Sequence, residues 1–190
     1  MAGKNVVMFG PPGAGKGTQA AKLKDFLGVP HISTGDMFRY HIKNGTDLGK
    51  TAQEYSNAGK LVPDEVTIAM VRDRLSQDDV AEGFLLDGFP RSKPQAEALD
   101  SILEEQGKSL DAVVNIAVDD DEVKGRLAKR ADIEGRADDA DPAVIENRLA
   151  TYKSQSEPCL DYYRPKGVVK DIDGIGSIDE IFERIKAVFS

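Results

Sequence analysis

Residues 5–19 read NVVMFGPPGAGKGTQ, a short apolar run followed by a glycine-rich loop. The loop fits the pattern G-x-x-x-x-G-K-[ST] as far as Lys16; in that pattern backbone N–H groups surround phosphate oxygens and the lysine adds positive charge. The next position usually holds a hydroxyl that reaches Mg²⁺, but here it is Gly17, and Thr18 comes one residue late. Because apolar strand, glycines, lysine and helical pattern follow in order, we interpret the stretch as a phosphate-binding loop.

Further apolar runs alternate with helical patterns along the chain. Continuous apolar strands of this kind indicate an α/β fold with a parallel sheet covered on both faces, in which ligands bind beyond the carboxyl ends of the strands. Pro158 should kink or end the last long helix. The predicted strands cover residues 5–9, 30–32, 84–86, 113–118 and 168–172; the predicted helices cover 15–27, 34–44, 47–57, 63–76, 92–106, 120–130, 142–163 and 178–189.

The composition limits the classes of function. The chain has 190 residues and a formal net charge of −8, which suits one domain and argues against general affinity for nucleic acid or anionic membranes. Its one cysteine, Cys159, excludes an intrachain disulfide and suggests a packed small residue. The apolar runs are far shorter than the roughly 18–20 residues of a membrane span, and the N-terminal run is too short for a secretory signal, so we expect a cytoplasmic protein.

The glycine after Lys16 becomes informative when the other motifs are added. GPPGAGKGTQ resembles the loop of adenylate kinases and related nucleoside-monophosphate kinases, in which glycine follows the lysine and threonine comes next. Other segments resemble the same family in the same order. ISTGDMFR at 32–39, GKLVPDE at 59–65 and GFLLDGFPRSKPQA at 83–96 resemble its acceptor-nucleotide segments, and GRADD at 135–139 and NRLATY at 147–152 resemble its lid and post-lid segments.

The resemblance implies a P-loop nucleoside-triphosphate hydrolase-like three-layer fold with a five-stranded parallel sheet, in one kinase domain. Its lid would be short and without cysteines, so we expect no structural zinc; Asp138 and Asp139 would pin the closed lid. The expected parts are a core of residues 1–33, 64–130 and 142–190, a helical acceptor-binding insertion of residues 34–63, and a lid of residues 131–141.

The implied reaction is MgATP + AMP ⇌ 2 ADP by in-line transfer, with Asp87 orienting Mg²⁺ through water. Such a reaction needs alignment and positive charge around the transferring group, for which arginine is well suited. Spacing alone leaves Arg126 and Arg130 as either an anion site or a solvated basic face. The residues expected to act in catalysis are Lys16, Arg91, Arg126, Arg130, Arg136 and Arg148.

The resemblance also assigns two nucleotide sites. Thr34, Gly88 and Gln95 would read the acceptor adenine, although Thr34 and Asp36 also suit helix capping, and the Phe89–Pro90 bond is expected to be cis. The ATP site would comprise Gly13, Ala14, Gly15, Lys16, Gly17, Thr18, Arg126, Arg130 and Gly176. The AMP site would comprise Thr34, Gly35, Arg39, Lys60, Leu61, Val62, Gly88, Arg91, Gln95, Arg136 and Arg148.

Three alternatives stay open. A UMP/CMP kinase shares the fold and chemistry, but usually has alanine where this chain has Thr34. A small-metabolite kinase would use Asp36 as a base, whereas the two histidines, His31 and His41, are expected to be structural or surface residues. A nucleotide-dependent switch would bind one nucleotide only, and the arginines in two separate segments speak against it. We expect a monomer that binds ATP, AMP and ADP.

Overall fold

The computed structural model describes residues 4–11, 13–60, 62–134 and 142–189, without the side chains of residues 130–134 and 142. Several residues expected to act in the site therefore lie outside the description. These are Leu61, Arg136, Asp138, Asp139 and the side chain of Arg130.

Within the described residues, five parallel strands form one sheet, which confirms the expected five-stranded parallel sheet; their order across it is β2-β3-β1-β4-β5. The first strand is central, and its Met8 is paired in register with Asp87 of β3. The loops that follow these two strands therefore leave the same edge of the sheet side by side. The strands are β1 (Asn5–Phe9), β2 (His31–Ser33), β3 (Phe84–Asp87), β4 (Ala112–Ala117) and β5 (Val169–Asp173).

Helices cover both faces of the sheet and give it three layers. Successive side chains of a strand point to opposite faces. Val7 and Phe9 accordingly pack with α4, α5 and α7, whereas Val6 and Met8 pack with α1 and α8. The helices are α1 (Lys16–Leu27), α2 (Thr34–Lys43), α3 (Asp47–Asn57), α4 (Asp64–Leu75), α5 (Lys93–Glu105), α6 (Asp120–Glu134), α7 (Pro142–Tyr163) and α8 (Ile178–Val188).

Helix α7 has the bounds that the sequence predicts, and it continues through Pro158 to Tyr163. Of the two outcomes expected at the proline, a kink or an end, the helix does not end there. Pro158 is exposed, while Cys159, Leu160 and Tyr163 beyond it are buried in the core. Burial of these three side chains outweighs the loss of one backbone hydrogen bond at the proline. The prediction that Cys159 is a packed small residue is confirmed.

Helices α2 and α3 form a compact pair that packs on α4. The N-cap of α2 is Ser33, whose Oγ accepts a hydrogen bond from Asp36 N at 3.2 Å, so Thr34 is the first helical residue and not the cap. Among the described residues, no helix has the length and apolar character needed to span a membrane.

Candidate functional site

The conformation of the loop between β1 and α1 depends on its glycines. Gly13 and Gly15 have φ angles of +81° and +79°, a conformation that other residues rarely adopt. A Cβ on Gly10 would lie 3.2 Å from Lys16 Cβ, so the chain doubles back closely on itself. Gly15 precedes α1 without a side chain to cap it, which leaves the first-turn N–H groups of the helix for an anion.

A cavity of about 630 Å³ opens in front of this loop. Its walls are the loop and the start of α1, the segment after β3, and one face of α7. The cavity thus joins the phosphate-binding loop to two of the arginines that the sequence analysis selected. Its lining includes Gly10, Gly13, Gly15, Lys16, Gly17, Thr18, Gly88, Phe89, Pro90, Arg91, Asn147, Arg148, Thr151, Tyr152, Gln155 and Ser156.

Asp87 stands at the end of β3 between two nitrogen-bearing side chains. Its Oδ1 lies 2.7 Å from Lys16 Nζ without hydrogen-bond geometry to any described residue, and its Oδ2 lies 3.2 Å from His31 Nε2. Burial alone raises the pKa of Asp87. The hydrogen bond with His31 and the charge of Lys16 outweigh that effect, and the net pKa lies below the ordinary value. Asp87 is therefore ionised at neutral pH.

His31 is the residue of this cluster that the sequence analysis did not select. It was expected to be an ordinary structural or surface residue, yet its imidazole contacts the carboxylate expected to act on Mg²⁺. The contact depends on β2 pairing with β3, and these strands are more than fifty residues apart in the chain. No local pattern in the sequence carries that information.

The acceptor-site residues after β3 are partly assembled. Gly88 has a φ angle of +84°, and a Cβ there would lie 2.9 Å from Thr34 Oγ1 and 3.4 Å from an Arg91 guanidinium nitrogen. Gln95 joins them, because its Oε1 accepts a hydrogen bond from Arg91 N at 2.7 Å. The expected cis bond between Phe89 and Pro90 is confirmed.

Among the described residues expected at the acceptor site, Gly88, Arg91 and Arg148 line the cavity and the others do not. Arg39 pairs with Asp36 on its own helix, and this hydrogen bond is the main reason why the pKa of Asp36 is lowered. Gly35 lies beneath that pair, since a Cβ there would lie 3.2 Å from the guanidinium group of Arg39. Lys60 is exposed, and Val62 is partly buried against the core.

On the donor side, Arg126 connects two loops at the edge of the sheet. It donates to Gly174 O at 2.9 Å and to Gly13 O at 3.5 Å, and Glu122 Oε1 accepts from its Nε at 2.9 Å. Arg126 therefore lies between the phosphate-binding loop and the turn that leads through Gly176 to α8. Ala14 is buried in the core beneath α1.

Helix α7 contributes a polar face that the sequence analysis did not select. Besides Arg148, it presents Asn147, Thr151, Tyr152, Gln155 and Ser156 to the cavity. Their spacing of three and four residues is that of one helix face, so the signal was present in the sequence. Burial raises the pKa of Tyr152 to about 12, partly offset by a hydrogen bond with Ser156, so its hydroxyl stays protonated at neutral pH.

Metal-binding side chains are sparse in this part of the molecule. Over residues 4–11, 13–60, 62–134 and 142–189, no three or more histidine, cysteine or carboxylate side chains come together as a metal site.

Comparison with known proteins gives a consistent result. The family model described as adenylate kinase matches residues 8–168. An adenylate kinase of Kocuria rhizophila is 54% identical over 182 residues, covering 96% of each chain. An adenylate kinase of Thermobifida fusca is 51% identical over 179 residues and 94% of each chain. An adenylate kinase of Methanosarcina barkeri is 46% identical over an alignment of 210 residues that covers 97% of each chain.

Proposed function

The chain belongs to the adenylate kinase family, and we propose on that premise that its cavity is where a phosphoryl group passes from MgATP to AMP to give two ADP. The observation that carries the proposal is the shared cavity. The phosphate-binding loop with Lys16 forms one wall, and Arg91 and Arg148 lie on the other two. A binding site for one nucleotide would not need cationic side chains at both ends.

Lys16 is proposed to exchange one anionic partner for another. In the structure its Nζ lies 2.7 Å from Asp87 Oδ1. When ATP binds, the ammonium group of Lys16 moves to the β- and γ-phosphates, and the N–H groups of the loop and of α1 hold the neighbouring oxygens. Thr18, which lines the cavity one residue beyond Gly17, lies next to these phosphates.

Asp87 fits a role beside Mg²⁺. It is ionised, and its Oδ1 lies 2.7 Å from Lys16 Nζ. Once Lys16 moves to the phosphates, that oxygen is left to accept a hydrogen bond from a water. Bound Mg²⁺ would offset part of the charge on the transferring phosphoryl group. Magnesium keeps several waters and takes few protein ligands, which agrees with the lack of a hydroxyl at Gly17.

The arginines are proposed to spread positive charge around the transferring group. Arg91 approaches from the segment after β3 and Arg148 from α7, so they reach it from different walls. The phosphate of AMP is already ionised near neutral pH, so the nucleophile needs no protein base. Water must be excluded, since it would otherwise accept the phosphoryl group. Arg130 and Arg136 enter this proposal from the family resemblance alone.

The acceptor site is proposed to be completed by movement. Thr34, Gly88 and Gln95 already lie together, but Arg39 must leave Asp36 to reach a phosphate. Helices α2 and α3 pack on each other more extensively than on α4, which favours their motion as one insertion. The proposed moving parts are residues 34–63 and the lid 131–141, around a core of residues 1–33, 64–130 and 142–190; Lys60, Leu61 and Val62 would flank the acceptor nucleoside.

The test of the proposed function is a coupled assay with ATP as donor and AMP, UMP, CMP or GMP as acceptor. We expect ADP formation with AMP at a kcat/KM well above that of the other three. Equal use of UMP or CMP would move the assignment to the pyrimidine kinases. ATP binding without transfer to any of the four would support a nucleotide switch instead.

We also propose that the protein is a cytoplasmic monomer. A cytoplasmic monomer agrees with the single cysteine, because Cys159 is buried and offers no thiol for cross-linking two copies. Sedimentation at micromolar concentration, with and without nucleotide, checks the monomer directly.

A further inference from the structure

The side-chain amide of Gln95 is held at both of its ends. Its Oε1 accepts from Arg91 N at 2.7 Å, and its Nε2 donates to Asp64 Oδ1 at 2.8 Å. The residue is 8% exposed, so these contacts are shielded from water.

Because of these two partners, the amide has only one satisfactory orientation. A carboxylate only accepts hydrogen bonds and a backbone N–H only donates them. If the Gln95 amide turned over, its carbonyl oxygen would face the carboxylate of Asp64 and its NH₂ group would face Arg91 N–H. Both contacts would be lost, in a place where water does not replace them.

Asp64 is itself fixed by its surroundings. It is the first residue of α4, and its Oδ2 accepts from Ser92 Oγ at 3.4 Å. Ser92 Oγ in turn accepts from Gln95 N at 3.3 Å, which caps α5. The hydrogen bonds thus form a closed ring between the beginnings of α4 and α5.

One N–H and one carbonyl lone pair of Gln95 remain for a ligand, and their relative positions are set by this ring. Adenine presents a donor at its 6-amino group beside an acceptor ring nitrogen. Hypoxanthine presents the reverse on the same edge, with an acceptor at the 6-oxo group and a donor at N1. An amide that cannot turn over matches only one of these two bases.

We propose that Asp64 is a positioning residue for base selection, which holds the Gln95 amide in the orientation that matches adenine and excludes the orientation that would match a 6-oxo base. The proposal rests on the proposed function, in which Gln95 contacts the acceptor base. It deepens that function by naming the group that sets its selectivity between AMP and IMP.

The test compares Asp64→Ala with Asp64→Asn. Both variants remove the same negative charge from the beginning of α4, but asparagine keeps an oxygen that can accept from Gln95 Nε2. We expect Asp64→Ala to lower the ratio of kcat/KM for AMP to that for IMP by about tenfold or more, because only the hydrogen bond from Arg91 N then opposes turnover of the amide, and a turned amide suits a 6-oxo base. We expect Asp64→Asn to keep that ratio within about threefold of the wild-type ratio.

Two results overturn the proposal. The first is an unchanged ratio of kcat/KM for AMP to that for IMP in Asp64→Ala. The second is an equal fall of this ratio in both variants, which would mean that the lost negative charge causes the effect. Failure of the wild-type enzyme to phosphorylate AMP would instead contradict the proposed function. If Asp64→Ala does not fold, Asp64→Ser replaces it, since serine suits the first turn of a helix and its hydroxyl is one bond too short to reach Gln95.

Discussion

Lys16 and Asp87 show how much of the site depends on the pairing of single residues. Each is partly buried, and each offsets the charge of the other across 2.7 Å. The loop motif alone specifies the lysine, but it does not show which carboxylate pairs with it. The register of β1 with β3 brings the two side chains together.

Replacement of the cavity's cations should reduce turnover strongly. We expect Lys16→Met or Arg91→Ala to lower kcat by about 10²–10⁵-fold, because each removes charge stabilisation from the transferring phosphoryl group. The coupled assay measures this effect. Lys22→Met is the matched control on α1, since Lys22 pairs with Asp179 at 3.6 Å and does not line the cavity. Near-normal turnover in either site variant would contradict the assignment.

The acid side of the stability profile should depend on Asp87. Its pKa is lower in the folded than in the unfolded chain, so its charge stabilises the fold above the ordinary aspartate value and this contribution is lost as the pH falls through the folded-state value. We expect Asp87→Asn, measured without nucleotide or metal, to have a lower free energy of unfolding at pH 7. The difference from wild type should shrink below about pH 4. A difference that stays constant down to pH 2 would exclude this origin.

At the scale of elements, sequence periodicity predicts where the helices form. Small residues then allow two helices to pack closely against each other. Gly49 of α3 lies against the backbone of α2, where a Cβ would lie 2.1 Å from His41 O. Thr46 reinforces the same junction, since its Oγ1 accepts from Gly49 N at 3.0 Å and lies 2.8 Å from His41 Nδ1. The insertion is therefore a tightly joined pair of helices.

Two helical glycines should respond to alanine in opposite ways. We expect Gly49→Ala to destabilise the protein by about 1–3 kcal/mol, because the added methyl group meets backbone that cannot move aside. We expect Gly125→Ala in α6, where a Cβ meets nothing within 4 Å, to stabilise it by about 0.5–1 kcal/mol. Urea unfolding measures both. Equal effects of the two substitutions would mean that α3 and α2 are not packed this closely.

Much of this architecture could be predicted from sequence, because its signals are local. Apolar runs, glycine breaks and helical spacing place the strands and helices to within a few residues. The sequence left open whether Pro158 kinks or ends its helix, because the burial of Cys159 and Tyr163 beyond it is a property of the whole core. The contacts of His31 with Asp87 and of Asp64 with Gln95 join residues far apart in the chain, and no single sequence states which distant side chains will meet.

At the scale of the whole molecule, Cys159 reports on the integrity of the core. It is buried in the layer of α4, α5 and α7, where burial raises the pKa of its thiol to about 12, and its Sγ donates to Gln155 O at 3.3 Å. The thiolate is the reactive form, so the folded chain should resist alkylation.

We expect iodoacetamide at pH 8 to label the native protein about 10³-fold more slowly than the denatured protein, from the difference in thiolate fraction. Mass spectrometry follows the single adduct, with Cys159→Ala as the blank. Labelling of the native protein at the denatured rate would show that this layer opens freely.

The sheet divides the interior into two apolar clusters with different helices. The cluster beneath α1 and α8 contains no described residue of α2 or α3, whereas the cluster on the opposite face of the sheet includes Met37 and Ala52 from these helices. Substitutions that are distant and share no neighbours usually combine additively. Thermal tolerance can therefore be engineered on the α1–α8 side without altering the packing of α2 and α3, the pair that we propose to move during turnover.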